Sequence, residues 1–280
     1  MGCDITFATS GAIVMSDVGQ IARMLWPGID AIEIGSLRSA EDLELVLETV
    51  RRRGLRWGVH APLWRSGLRR EEFDARGLSP ASRTQLDGDF REAARCGAQY
   101  ILVHFPWFLD ASLPVEQAGA QVQAAMRDLW QLRERHGIPV VFEFKLGRAR
   151  DPGILAYLMR GGTEMLGQDD FGWCLDVGDW LMASQALRVD PVEAFGALAP
   201  RTEVIHVHAV ERATNPYLWK PIHPEDPDAT AVLALCDLAV AKSPRLRIVF
   251  EHTSHLDPGP EYDLAGYRWL RQALTGEEPV

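Results

Sequence analysis

Cysteine is scarce and widely spaced in this chain. Cys3, Cys96, Cys174 and Cys236 form no Cys-x-x-Cys pair, which excludes a thiolate zinc knuckle and a disulfide framework and leaves four reduced packing residues. Long apolar runs are lacking too, and none reaches the roughly 18 residues of a membrane span. The opening residues, MGCDITFATSG, have neither the basic nor the apolar region of a signal peptide, so the expectation is a soluble, cytoplasmic protein without membrane contact. Positive charge is in deficit: 29 Lys and Arg face 39 Asp and Glu, for a net charge of −10. That balance argues against a broad nucleic-acid footprint. Short repeats and low-complexity tracts are also missing.

What is present is a recurring pattern. Seven short apolar runs end on an acid or a histidine: AIE at Glu33, WGVH at His60, YILVH at His104, VVFE at Glu143, CLD at Asp176, IHVH at His208 and IVFE at Glu251. Strand-like runs near 3–8, 29–34, 55–60, 99–104, 138–143, 171–176, 203–208 and 246–251 alternate with helical segments, as in βα units of a parallel sheet. Ser16 is placed as the cap of a first helix that stops before Pro27, and Ser39 as the cap of a second that closes on Gly54. Further helices are expected near 81–96, 114–136, 152–161, 191–199, 228–242 and 261–274. Asp151 with Pro152, and Asp190 with Pro191, read as caps followed by first-turn prolines. With 47% hydrophobic residues over 280 positions, one (β/α)8 barrel of about 250 residues accounts for the length, so 1–280 reads as one domain.

Side chains two apart on a strand share a face. If each terminal polar residue points inward, so do Gly58, Leu102, Val141, Cys174, His206 and Val249. Trp57, Val103, Phe142, Trp173, Val207 and Phe250 then face the helices. Strand ends that converge at one rim make a polar site at the catalytic face of a barrel. Glu143, Asp176, His208 and Glu251, from four successive strands, supply oxygen and nitrogen donors for one divalent ion of the Mn, Mg, Co or Zn group. His60 and His104 serve either a second ion or substrate, and Glu33 belongs with them. Asp179 reaches the same centre or caps the next helix, and His223, in the Pro-bounded KPIHPED loop, aims inward or lies at the surface. His206, one layer below His208, is placed among substrate contacts. Trp64, Trp107, Trp180 and Trp219 wall a pocket or anchor exit loops. Two long exit loops, 61–80 and 209–227, carry Arg69 and Lys220 as anion partners.

In their order, these segments resemble the xylose isomerase-like TIM-barrel superfamily, which includes sugar and sugar-phosphate isomerases and epimerases and the endonuclease IV group. The resemblance spans Glu33 to Glu251. In isomerase and epimerase members a Glu, Asp, His and Glu of strands five to eight hold the metal, and these map to Glu143, Asp176, His208 and Glu251. GVHAPLW at His60 and LVHFP at His104 are similar to the paired histidine motifs that bind additional zinc in endonuclease IV. The chain departs from that pattern at DVGD, where Asp179 stands in place of a histidine, and at PIH, where Pro221 precedes His223.

Two mechanisms suit such a site. In an isomerase or epimerase, the metal grips adjacent carbonyl and hydroxyl oxygens and stabilises an enediolate, while Glu143 or Glu251 moves the proton beside the carbonyl. In a phosphodiesterase, two ions activate water and clamp the phosphoryl group. A barrel that binds a sugar without turnover is the third alternative. The expected partner is a small carbohydrate, with nucleic acid disfavoured. Barrels of this type often pair, which keeps a homodimer open, although no apolar stripe marks an interface.

Overall fold

The eight strand-like runs become parallel strands that close into a barrel, in the computed structural model, which describes residues 3–65, 79–107, 115–145, 171–212, 218–253 and 259–277. The strands are β1 (Asp4–Ser10), β2 (Ala31–Ile34), β3 (Arg56–His60), β4 (Ile101–Trp107), β5 (Val140–Lys145), β6 (Gly172–Asp176), β7 (Thr202–Val207) and β10 (Arg245–Phe250). Closure is made by β1 on β10, paired from Asp4 with Arg245 to Thr9 with Phe250. The helices are α1 (Ala40–Arg53), α2 (Pro80–Arg95), α3 (Val115–His136), α4 (Val177–Leu187), α5 (Pro191–Phe195), α6 (Ala229–Lys242) and α7 (Pro260–Thr275). The architecture is thus the (β/α)8 barrel that the alternation predicts. Among the described residues, no helix is long and apolar enough to cross a membrane.

The two faces of the strands divide as period-two alternation requires. Trp57, Val103, Phe142, Trp173, Val207 and Phe250 lie in the outer core shared with the helices. Ala8, Ala31, Tyr100, Leu102, Val141, Cys174, Val204 and Val249 form a separate cluster that fills the barrel interior. Burying each large outer side chain is worth about 1.5–3 kcal/mol. Small residues make room for large ones inside: a Cβ on Gly58 would lie 2.3 Å from the Tyr100 ring. The Arg247 guanidinium sits over the same ring, 4.7 Å from its centroid.

Several elements differ from expectation. No helix starts at Ser16. Two 3-10 turns, Gly11–Val14 and Val18–Met24, occupy the segment, capped by Ser10 and Asp17. Met15 and Ser16 have positive φ between them, which breaks helical continuity. The helix expected over 191–199 stops at Phe195, and a 3-10 turn follows at Ala199–Arg201. An additional helix, α4, begins directly after Asp176, whose side chain caps it. The exit loop 209–227 contains a short antiparallel hairpin of β8 (Ala209–Glu211) and β9 (Leu218–Lys220). The helix expected over 152–161, with Asp151 and Pro152, lies outside the described residues.

Candidate active site

Strand register delivers the polar residues to one end of the barrel. Glu143 on β5 pairs with Cys174 on β6, and Asp176 on β6 pairs with His206 on β7. His206 in turn pairs with Val249 on β10. Glu251 follows the last residue of β10, and its backbone N–H donates to the Val207 carbonyl at 3.1 Å, which keeps it in the strand line. Glu33 of β2, His60 of β3 and His104 of β4 complete the ring from the other side.

His206 is the hub. Its Nδ1 lies 2.8 Å from Glu251 Oε2 and 3.1 Å from Glu143 Oε2, while its Nε2 lies 3.0 Å from Glu33 Oε1. Glu33, Glu143 and His206 are completely buried. Tyr100 donates its hydroxyl to Glu33 Oε2 at 2.7 Å, and Ser10 donates to Glu251 Oε1 at 3.2 Å. His60 and His104 stand at the rim, with their Nε2 atoms 2.9 Å apart and Glu143 Oε2 at 3.8 and 3.3 Å respectively.

Charge decides the ionisation of this cluster. Burial alone disfavours the Glu251 carboxylate, but the positive charge of His206, with His60 behind it, outweighs burial and holds Glu251 well below the usual carboxylate range. Burial likewise opposes a charged His206, yet Cys174, Glu251, Glu33 and Glu143 around it push the imidazole well above its ordinary value. Burial, with Glu33 beside it, raises Tyr100, so its hydroxyl stays a donor.

The donor set fits a divalent cation. Both ring nitrogens of His206 and Oε1 of Glu33 are buried without an aligned hydrogen bond, although carboxylate oxygens crowd the imidazole. Nitrogen and oxygen donors gathered at this spacing are of the types that ligate a divalent cation. The ligand atoms gather in four compact groups: Asp176, His206 and Glu251; Glu143, Cys174 and His206; His60, His104 and Glu143; and Glu33, His60 and His206.

The sequence-predicted residues are placed as follows. Glu33, His60, His104, Glu143, Asp176, His206 and Glu251 come together. His208 does not join these groups. Its Nε2 accepts the Gly178 N–H at 3.1 Å and lies 3.2 Å from Asp176 Oδ1, and its ring stacks on Trp219 at 4.4 Å. A Cβ at Gly178 would stand 2.5 Å from His208 Nε2, so glycine is what lets α4 start there. Asp179 donates its backbone N–H to Asp176 Oδ1 at 2.8 Å, which makes Asp176 the cap and places Asp179 in the first turn. His223 is held by a stack on Tyr262 at 4.4 Å. Lys220 pairs with Asp226. Trp180 faces the outer core, its indole N–H donating to the Pro191 carbonyl at 2.9 Å, so its place as a pocket wall is corrected to a packing role. Trp64 packs against the core and bridges to Leu37 as a loop anchor. Arg69 and the Trp107 side chain lie outside the described residues.

Tyr100, Ser10 and Cys174 are site neighbours that motif reading passed over. Tyr100 was available from the alternation in YILVH, four before His104. Ser10 was hidden because β1 runs two residues past its expected end. Cys174 faces inward as the alternation predicts, and it lies beside Glu143 and His206 as well as filling the interior.

A family model described as xylose isomerase-like TIM barrel matches residues 22–274. No curated protein sequence matches the chain. Among solved structures, a D-tagatose 3-epimerase-like protein aligns at 15% identity and TM-score 0.68, covering 96% of this chain and 97% of that one. A D-allulose 3-epimerase from Methylomonas sp., in complex with D-allulose, aligns at 14% identity and TM-score 0.60, covering 98% and 100%. The IOLI protein with a binding zinc atom aligns at 12% identity and TM-score 0.62, covering 97% and 98%. At these identities the likeness is one of fold.

Proposed function

Because the chain belongs to the xylose isomerase-like TIM-barrel family, we propose that it is a divalent-metal-dependent isomerase or epimerase of a small sugar, using carboxylate proton transfer beside a carbonyl. The observation that carries this reading is the approach of Glu143 and Glu251 to one buried imidazole atom, Nδ1 of His206, at 3.1 and 2.8 Å. Two carboxylates on different strands around one centre can take a proton from a substrate carbon on one face and return it on the other, which is what epimerisation needs.

Glu143, Asp176, His206 and Glu251 would hold the cation. When bound, the cation polarises the carbonyl and offsets the negative charge that develops on proton removal. Glu251, oriented by Ser10 and kept ionised by the cation's positive charge when the ion is bound, acts as one proton carrier. Glu143 acts as the other. His60 and His104, about one-fifth exposed at the rim, bind substrate hydroxyls, and Trp219 offers a flat apolar wall next to His208. A ketose is favoured as substrate, since Lys220 is taken up by Asp226 and the cluster itself is rich in carboxylates. The fold neighbour solved with D-allulose is consistent with that class.

A second reading rests on the His60, His104 and Glu143 group, which could hold a further ion in a phosphodiesterase. The test is elemental analysis followed by incubation with Mn2+ or Co2+ and a panel of ketoses in heavy water. One ion per chain, with deuterium appearing at the carbon beside the carbonyl, supports the proposal. Two zinc ions, no exchange, and cleavage of a phosphodiester dye would replace it with the hydrolase. Tight ketose binding with no exchange would leave a non-catalytic sugar-binding barrel.

A further inference from the structure

Among the described residues, the floor of the cluster contains a donor that is neither oxygen nor nitrogen. Cys174 lies on β6 beside Glu143 in the sheet register, 4% exposed, and belongs to the interior layer of Leu102, Val141, Val204 and Val249. Its sulfur, a Glu143 carboxylate oxygen and a His206 ring nitrogen all lie within 4.8 Å of one another. Bonds of about 2.0–2.3 Å to a tetrahedral ion put neighbouring donors about 3.5 Å apart, so small side-chain shifts would bring the three onto one centre. His206 supplies independent support. It is completely buried, projects into the same space from β7, and its ring nitrogens are met by carboxylate oxygens at 2.8, 3.0 and 3.1 Å, the donor types a cation would share.

We propose that Cys174 is a sulfur donor to the divalent cation, joining His206 and Glu143, and that it biases the site toward Zn2+ and Co2+ over Mg2+ and Mn2+. The inference rests on the reading that a cation binds this cluster and adds which ion the cluster prefers. The chemistry follows from donor type: thiolate is a soft ligand that favours zinc and cobalt, whereas magnesium and manganese prefer shells of oxygen. On binding, the S–H bond gives way to a sulfur–metal bond and the proton leaves to bulk water. A coordinating thiol is deprotonated by the charge of the ion it binds. Cys236 is buried in the outer core, and Cys3 and Cys96 are half-buried away from the ligand groups.

The full chain, stripped of metal and reloaded with Co2+, should show a near-ultraviolet sulfur-to-cobalt charge-transfer band. The band should vanish in Cys174→Ala and persist in a Cys3→Ala, Cys96→Ala double variant. In competition dialysis, the preference for Zn2+ over Mn2+ should fall about tenfold or more in Cys174→Ala, while Mn2+ affinity stays within about twofold. Cys174→Ser, near in volume, guards against a packing artefact and should lose the band as well. A wild-type protein that binds Co2+ with no sulfur band overturns this proposal alone. A wild-type protein that binds no divalent ion overturns it together with the proposed function.

Discussion

Glu251 is asked for the most by the proposed chemistry. Its carboxylate meets Ser10 Oγ at 3.2 Å and His206 Nδ1 at 2.8 Å. Glu251→Gln keeps the shape and one acceptor oxygen but removes the charge that takes a proton. Ketose turnover is expected to fall about 10²–10⁴-fold, measured by chromatography of the product sugars, with the circular dichroism spectrum unchanged. Unaltered turnover would take Glu251 out of the mechanism. The two histidines of IHVH separate a matter that sequence could not. His206 and His208 share one strand face, so spacing alone makes either an equal partner for Glu143 and Glu251. Which ring reaches the centre depends on the stagger between β6, β7 and β10, which no local pattern encodes. In the structure His206 lies among Glu33, Glu143 and Glu251, while His208 meets Asp176, Gly178 and Trp219, and the proposed site is built on the first. His206→Asn should weaken Mn2+ or Co2+ binding by about 100-fold in equilibrium dialysis. His208→Asn should leave ion binding within about tenfold and lower the melting temperature. The reverse order would restore His208 as the ligand.

At the level of elements, legibility followed local chemistry. Ser39 and Gly54 delimit α1 as read, because a side-chain cap and a left-handed terminus are written in adjacent residues. The β1 exit and the start of α4 were not legible, since VGDW looks like a turn until Asp176 caps it and tertiary packing buries it. Gly178 tests that packing. Alanine in a helix normally gains up to about 1 kcal/mol over glycine, but here its Cβ would lie 2.5 Å from His208 Nε2 and 2.7 Å from Trp219. Gly178→Ala should therefore destabilise by about 1–3 kcal/mol in urea titration, and a gain in stability would refute the contact. A second device joins α2 to the β3 exit. Asp89 Oδ2 accepts the Leu63 N–H at 3.1 Å and Oδ1 accepts the Gln85 amide at 2.8 Å. Burial outweighs these bonds and a further one from the Trp64 backbone N–H, and lifts the Asp89 carboxyl to about 7. The folded value is thus above the ordinary one, so the neutral acid stabilises fully below about pH 4, and that stabilisation is lost as pH rises through 7. Asp89→Asn stays neutral and can still accept from Leu63. Relative to wild type it should gain stability at pH 8, by at most a few kcal/mol, with the gap narrowing at pH 5. Equal differences at the two pH values would count against an ionising Asp89.

Across the whole molecule, the barrel and its polar end could be read from the period-two strands and their polar termini, while the substrate has to be argued from charge. The net charge is −10, and two cations near the strand exits, Arg212 and Lys220, are already engaged. Arg212 grips Asp228 through two contacts of 2.8 and 2.9 Å, and Lys220 pairs with Asp226. A field of this sign repels polyanions and is indifferent to a neutral ketose. The Michaelis constant for a neutral ketose should therefore stay within about twofold as salt rises from about 20 to 300 mM, a range over which the screening length shortens severalfold. Capture of a phosphorylated sugar should improve over the same range, because screening weakens the repulsion. Duplex DNA with an abasic-site analogue should not be retained at about 50 mM salt, where phosphate-driven binding is strong. Retention of that duplex, with affinity falling steeply as salt is added, would show that a local basic surface overrides the net charge and would turn the proposed function toward phosphodiester hydrolysis.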